Sequence, residues 1–270
     1  MMLSDQQVSD QSLKEYLDQK VQLYNHRSFI ENDPISIPKQ YHLQQDIEIT
    51  AFWTAMLAWG QRKTIISKSQ ELFSLMDGKP YDFIRNHSEK DRKSLLHFKH
   101  RTFQPSDTLY FAIRLQRFYQ EHESLESAFV INQGSNDFSL EKSLINFREQ
   151  FFDNDQYLDR TKKHIATPAK KSACKRLNMF LRWMVRKDKN DVDFGIWKNI
   201  PKAKLHIPLD VHVHRVALRL GLTQRKQSDW NTVLEITSRL SEFDPKDPAK
   251  YDYALFGIGV IDDKRKLPTE

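Results

Sequence analysis

The chain carries one cysteine, Cys174, in 270 residues. That excludes an intramolecular disulfide and any four-thiolate zinc or iron–sulfur centre. Glycine is almost as scarce, at seven residues. So few glycines disfavour the turn-rich sandwiches and barrels, and the abundance of Leu, Lys, Gln, Arg and Glu favours helices. No run of about 18 apolar residues occurs, so no stretch reads as a membrane-spanning helix. The opening MMLSDQQVSDQSLKEYL lacks the apolar core of a signal peptide, which makes a cytoplasmic protein the expectation. Internal repeats, low-complexity tracts and Gly/Ser linkers are also missing. The length allows one large domain or two modest ones.

What is present is positive charge, and it is clustered. The net charge of +6 conceals a stretch, 160–189, in which Arg160, Lys162, Lys163, Lys170, Lys171, Lys175, Arg176, Arg182, Arg186, Lys187 and Lys189 face a single acid, Asp188. Such a stretch reads either as the footprint of a polyanionic partner, most simply nucleic acid, or as a solvated surface.

Apolar spacing predicts helices throughout. They fall over residues 11–25, 46–76 (interrupted at Gly60), 80–86, 89–98, 106–121 with Ser106 and Asp107 as caps, 124–130 and 139–152, with 153–171 polar and irregular. In SACKRLNMFLRWMVRK, Leu177, Phe180, Leu181, Met184 and Val185 make one apolar face and Lys175, Asn178, Arg182 and Arg186 a polar one. Ser172 is the expected N-cap, which puts Lys175 in the first turn. A cation is disfavoured there, because the helix N-terminus carries positive partial charge. Further helices follow at 210–220, at 228–242 and from Pro248 onward.

The segment IPLDVHVHRVALRLGL (207–222) poses a choice. Asp210, His212 and His214 make a metal cradle if the segment is a strand, since i and i+2 then face the same way. On a helix the two histidines lie about 200° apart. The apolar spacing of Val213, Val216, Ala217 and Leu220 favours a helix opened by Pro208 and capped by Asp210. Asp210 is then either a plain cap or a functional acid at the mouth of a helix. No other histidine pair has ligand spacing, FGIGV (256–260) follows no strand that would make it a nucleotide loop, and DNDQYLD (153–159) reads as a solvated loop.

Several stretches together resemble the helix-hairpin-helix DNA glycosylase superfamily, and within it most closely the bacterial family defined by a conserved domain of unknown function, DUF2400. They are AWGQRKTI (58–65), HRTF (100–103), SACKRLNMFLRWMVR (172–186), VDFGIW (192–197), IPLDVHVHRVA (207–217) and KYDYALFGIGV (250–260). The resemblance implies an all-α, two-lobed protein with a central cleft, a bundle over 46–185 packing on a lobe made of 1–45 and 186–270. It also implies roles. Lys175 corresponds to the lysine that attacks C1′ of a damaged nucleotide, and Asp210 to the aspartate that assists, at a spacing closer to the archaeal 8-oxoguanine branch than to endonuclease III. The sequence departs from the superfamily in two ways. The glycine-rich hairpin is replaced by ATPAKKSAC (166–174), which alters the phosphate-gripping turn, and the four-cysteine cluster of endonuclease III is missing.

The expected activity is base-excision repair by a DNA N-glycosylase with lyase activity, needing no metal or other cofactor. Its partner is double-stranded, damaged DNA. Besides Lys175 and Asp210, the residues expected to meet DNA are Trp59, Gln61, Arg62, Lys170, Lys171, Arg176, Arg182 and His212, with Trp59 either stacking on a base or sitting in the core. Two other readings stand beside this one: a DNA-binding module that keeps the fold without catalysis, and a metal-dependent hydrolase using Asp210, His212 and His214.

Overall fold

The computed structural model describes residues 9–130, 138–153 and 158–262. Among these the protein is all-α, with ten α-helices, short 3-10 turns and no strand. The helices are α1 (Asp10–Tyr24), α2 (Gln44–Leu57), α3 (Arg62–Ser74), α4 (Pro80–Asn86) and α5 (Pro105–Glu121). Then come α6 (Leu140–Phe151), α7 (Lys175–Val185), α8 (Val211–Arg219), α9 (Trp230–Phe243) and α10 (Tyr251–Gly257), which runs on into a π-turn over Ile258–Asp262. None of the described helices is long and apolar enough to cross a membrane. Most of the loop DNDQYLD lies outside the described residues.

Local chemistry starts most helices where spacing puts them. Ser9 caps α1 through the Ser12 N–H, Ser139 caps α6 through Lys142, and Asp229 caps α9 through Thr232. Gly60, at φ +112, separates α2 from α3, and a Cβ there would strike the Arg101 guanidinium. Three expectations need correction. Residues 89–98 and 124–130 form 3-10 turns, Asp91–His97 and Leu125–Ala128, rather than α-helices. The helix expected from Ser106 starts at Pro105, with Asp107 accepting the Gln104 N–H from inside the first turn at 2.8 Å. And α7 is capped not by Ser172 but by Cys174, whose backbone is left-handed at φ 49.

The core is one continuous apolar cluster to which α1, α2 and the segments beyond residue 186 all contribute. At its centre is α2, with Ile47 to Leu57 buried on every side. It packs against α3, α4 and α7. Phe52 sits among Phe111, Phe147, Phe151 and Phe180, and its truncation to alanine would cost about 3–5 kcal/mol. Also on α2, the fully buried Glu48 accepts hydrogen bonds from Tyr119 Oη (2.9 Å), Ser124 Oγ (2.6 Å), the Leu125 N–H (2.8 Å) and Trp197 Nε1 (2.7 Å). Helix α8 packs on α10, and α1 is laid along α10. The approach of α1 is close enough that a Cβ on Gly257 would overlap the Tyr24 ring.

Candidate active site

The starts of α3, α7 and α8 converge on one cavity of about 340 Å³. Each delivers a polar side chain from its first turn or cap: Arg62 from α3, Lys175 from α7, Asp210 from α8. Two acids complete the lining, Asp33 from the segment between α1 and α2 and Asp252 from α10, and Phe29, Tyr253 and Phe256 give it aromatic walls. Exposed N–H groups at helix starts add positive partial charge to such a space.

The segment 166–174 aims Lys175. A 3-10 turn over Pro168–Lys170, capped by Thr167, is followed by Lys171 at φ 57, and Ser172 then bridges to Asp229. Cys174 makes a second left-handed residue, and α7 begins one residue later. A non-glycine residue in that region costs on the order of 1–2 kcal/mol, so this turn is held by its surroundings. Cys174 itself is buried, its thiol pushed up to about 12 by that burial. No hydrogen bond or ion pair engages the Lys175 ammonium among the described residues.

Asp210 is the N-cap of α8. Its Oδ1 accepts the His212 N–H at 2.9 Å and the Val213 N–H at 3.0 Å. Capping therefore uses one oxygen and leaves Oδ2 for the cavity. His212 lines the same space, with its Nδ1 buried and unpartnered, whereas His214 Nε2 meets the Arg225 carbonyl at 2.8 Å. The helix thus turns the two histidines apart, and among the described residues no three His, Cys, Asp or Glu side chains are grouped to hold a metal ion.

The cationic face expected on α7 is not a surface. Arg182 and Arg186 are 4% and 2% exposed. Arg182 pairs with Asp193 at 3.2 Å and with Asp252, its guanidinium 4.3 Å from the Tyr253 ring centroid. Arg186 pairs with Asp188 (2.7 Å), Asp193 (3.0 Å) and Asp247 (3.1 Å). Burial alone would weaken these charges, but Asp193 and the flanking acids outweigh it and hold both guanidinium groups well above their ordinary range. Arg182, expected to meet DNA, is therefore a buried ion-pair partner at the edge of the cavity. Arg176 is also engaged internally, donating to the Met56 carbonyl at 2.5 Å and to Lys163 O at 3.3 Å. Arg160 pairs with the buried Asp107 at 2.7 Å. Lys170 and Lys171 stay exposed beside the turn that precedes α7.

Trp59 stands outside the cavity wall. It is 51% exposed with the Arg101 guanidinium 5.4 Å from its ring, while its neighbours Ala58, Gly60 and Gln61 line the mouth. Arg62 reaches inside, 4.6 Å from the Phe256 ring centroid, and one of its terminal nitrogens is buried without a partner.

Sequence reasoning missed Asp33 and Asp252. Burial pushes the Asp33 carboxyl up, opposed chiefly by Arg62. Burial pushes Asp252 up to about 7, with Arg182 opposing and Asp210 reinforcing the shift. The available signals were an Asp–Pro pair opening a turn in NDPISIP, and an aspartate set between tyrosines in KYDYALFGIGV.

Fold and site together define an all-α protein with a charged, aromatic-walled cavity built where helices begin. The model of a family described as a protein of unknown function, DUF2400, matches residues 33–261, and the chain belongs to that family. No curated protein and no solved structure matches it.

Proposed function

We infer that the protein is a base-excision DNA glycosylase with lyase activity, acting through Lys175 as nucleophile and Asp210 as electrostatic partner. The observation that carries this reading is the convergence of the two side chains on one cavity, the amine unpaired and the carboxylate with one oxygen free of its capping duty. In this reading the protein has the two-lobed arrangement of the helix-hairpin-helix glycosylases, with 166–174 as an altered hairpin and the cavity receiving a nucleotide turned out of the duplex.

Cleavage of an N-glycosidic bond develops positive charge on the sugar. A fixed carboxylate near C1′ stabilises it, and it does so most where water is excluded. The Lys175 amine, having given up a proton, attacks C1′, the base departs, and opening of the sugar ring gives an imine from which β-elimination nicks the strand. The reading requires no metal. The aromatic walls suit a flat base, and the exposed Lys170 and Lys171 would meet phosphates outside the mouth.

Borohydride trapping on a panel of damaged duplexes tests it. The parent should form a covalent adduct that Lys175→Gln abolishes, because the lysine supplies the imine nitrogen. Asp210→Asn should slow base release by roughly 10²–10³-fold while leaving DNA affinity largely intact, since the carboxylate acts on charge present only in the transition state. Asn also caps nearly as well as Asp, so the helix survives. Variants that trap and cleave like the parent would refute the assignment. Binding without trapping by the parent would favour the non-catalytic module.

A further inference from the structure

We propose that Asp252 is the general acid of this site, donating a proton from Oδ1 to the departing base. The inference rests on the glycosylase reading above. It starts from geometry: the carboxyl is 6% exposed, lines the cavity that holds Lys175 and Asp210, and engages Arg182 through Oδ2. Among the described residues no hydrogen bond uses Oδ1, and that atom is not among the sealed, unpartnered ones, so it opens to the cavity.

Burial favours a bound proton on Asp252; among the charges around it Arg182 opposes this most, and Asp210 and Asp193 reinforce it. From α7 it faces Arg182 and Lys175, from the α8 cap Asp210 with His212 behind it, from the loop after α7 Asp193, and from the α1–α2 segment Asp33, with Tyr253 as its neighbour on α10. α1 also packs on α10, but its Asp18 and Lys20 are committed to Lys250 and Asp262. The nearest guanidinium is shared, since Arg182 also serves Asp193, which Arg186 holds in turn. Two aspartates on one buried arginine, with a third across the cavity, cannot all ionise cheaply. The group that stays protonated to about pH 7 is Asp252, while Asp210 spends one oxygen on capping α8. A buried carboxyl that keeps its proton suits the acid, and Asp210, anchored at the mouth of α8, is left the part of electrostatic stabiliser.

The step balances without an outside reagent. The C1′–N bond breaks with its electron pair going to the base, which takes the proton from Asp252 Oδ1. The Lys175 amine forms the C1′–Nζ bond. The new ammonium gives its proton to water, and the Asp252 carboxylate regains one from water before the next turnover. The acid is needed only while a base remains to be expelled.

That distinction gives the experiment. Base release is followed on duplexes carrying one uracil, hypoxanthine or 8-oxoguanine, and borohydride trapping on a duplex with a ready-made abasic site, both across pH. In the parent, base release should fall as pH rises through the Asp252 midpoint. Asp252→Asn should lower base release by roughly 10²-fold below that midpoint and flatten the profile, with trapping at the abasic site changed by less than about threefold. Asp252→Glu should restore the alkaline limb, and it carries the test if the Asn variant melts early. A parental pH profile in Asp252→Asn, or an equal loss in both assays, would overturn the general acid and leave the glycosylase reading standing. A parent that neither releases a base nor traps on the abasic duplex would remove both.

Discussion

Two buried polar clusters flank α2, and they are finished differently. Around Glu48 every donor finds its acceptor: Tyr119, Ser124, the Leu125 N–H and Trp197 all point at one carboxylate, and Gln44 closes the outer side at 3.0 Å. Around the cavity the groups are charged but left open. Arg62 keeps a buried nitrogen without a partner, His212 keeps its Nδ1, and Asp210 and Asp252 each have an oxygen unused. A fully satisfied network fixes a fold, and an unsatisfied one stores binding capacity at a cost in stability. The same helix core thus carries one cluster that ties elements together and one whose polar atoms stay unpaired.

The largest effect should come from breaking the closed cluster. Glu48→Ala would strand a phenol, an indole N–H and a backbone N–H in the interior, each worth about 1–3 kcal/mol when left unmade. A loss of about 4 kcal/mol of folding free energy is expected, partly offset by water entering the space. Urea denaturation followed by circular dichroism measures it. A loss below about 1 kcal/mol would mean that Glu48 is replaceable and that the two clusters differ less than their hydrogen bonds indicate.

The contrast also explains how far the sequence could be read. Helix spacing, the Gly60 break and the Asp210 cap are local signals, decided within a few residues, and they were legible. The motifs also set Lys175 and Asp210 at the starts of two successive helices, and both line the one cavity. The fate of the α7 arginines was not. A cation on the polar side of an amphipathic helix looks solvated until its partners are known, and those of Arg182 and Arg186 come from as far as Asp247 and Asp252. Asp33 and Asp252 were hidden for the same reason, since nothing near either residue says that both face Lys175. Leu125–Ala128 is too short for periodicity to separate a 3-10 turn from one α-helical turn, and over the seven residues of Asp91–His97 periods of 3.0 and 3.6 barely diverge.

A middle-sized effect follows from which cations remain outside. With Arg160, Arg176, Arg182 and Arg186 engaged internally, the basic stretch would offer the proposed DNA partner fewer contacts than its composition promises. Lys170 and Lys171 should carry a good part of what remains. Replacing both with alanine should reduce the slope of log affinity against log salt by about two, one condensed counterion for each phosphate no longer neutralised. Fluorescence anisotropy with a labelled duplex at several salt concentrations reads the slope. An unchanged slope would place the DNA-binding surface elsewhere on the molecule.

The smallest effect, and the sharpest for the comparison, concerns stability at Arg62. Its guanidinium lies over the Phe256 ring and leaves a buried nitrogen unpaired, so its aliphatic stem supplies packing while one of its donors is desolvated without a hydrogen-bond partner. Arg62→Met keeps the length and places a polarisable sulfur near the same ring. Folding free energy should change by less than about 1 kcal/mol, on the neutral or stabilising side, because removing an unsatisfied buried donor offsets the missing cation–π attraction. Removal of Arg62 also takes away the chief charge opposing protonation of Asp33, so that carboxyl moves further upward and adds no buried charge. DNA processing should nonetheless fall, since the guanidinium is the one cation reaching into the cavity from α3. Glu48→Ala and Arg62→Met would then form opposite cases, one losing stability with its chemistry intact and the other losing chemistry with its stability intact. If Arg62→Met instead destabilises the protein by several kcal/mol, the guanidinium is a structural tie like Glu48, and the cavity is less open than its unpartnered atoms indicate.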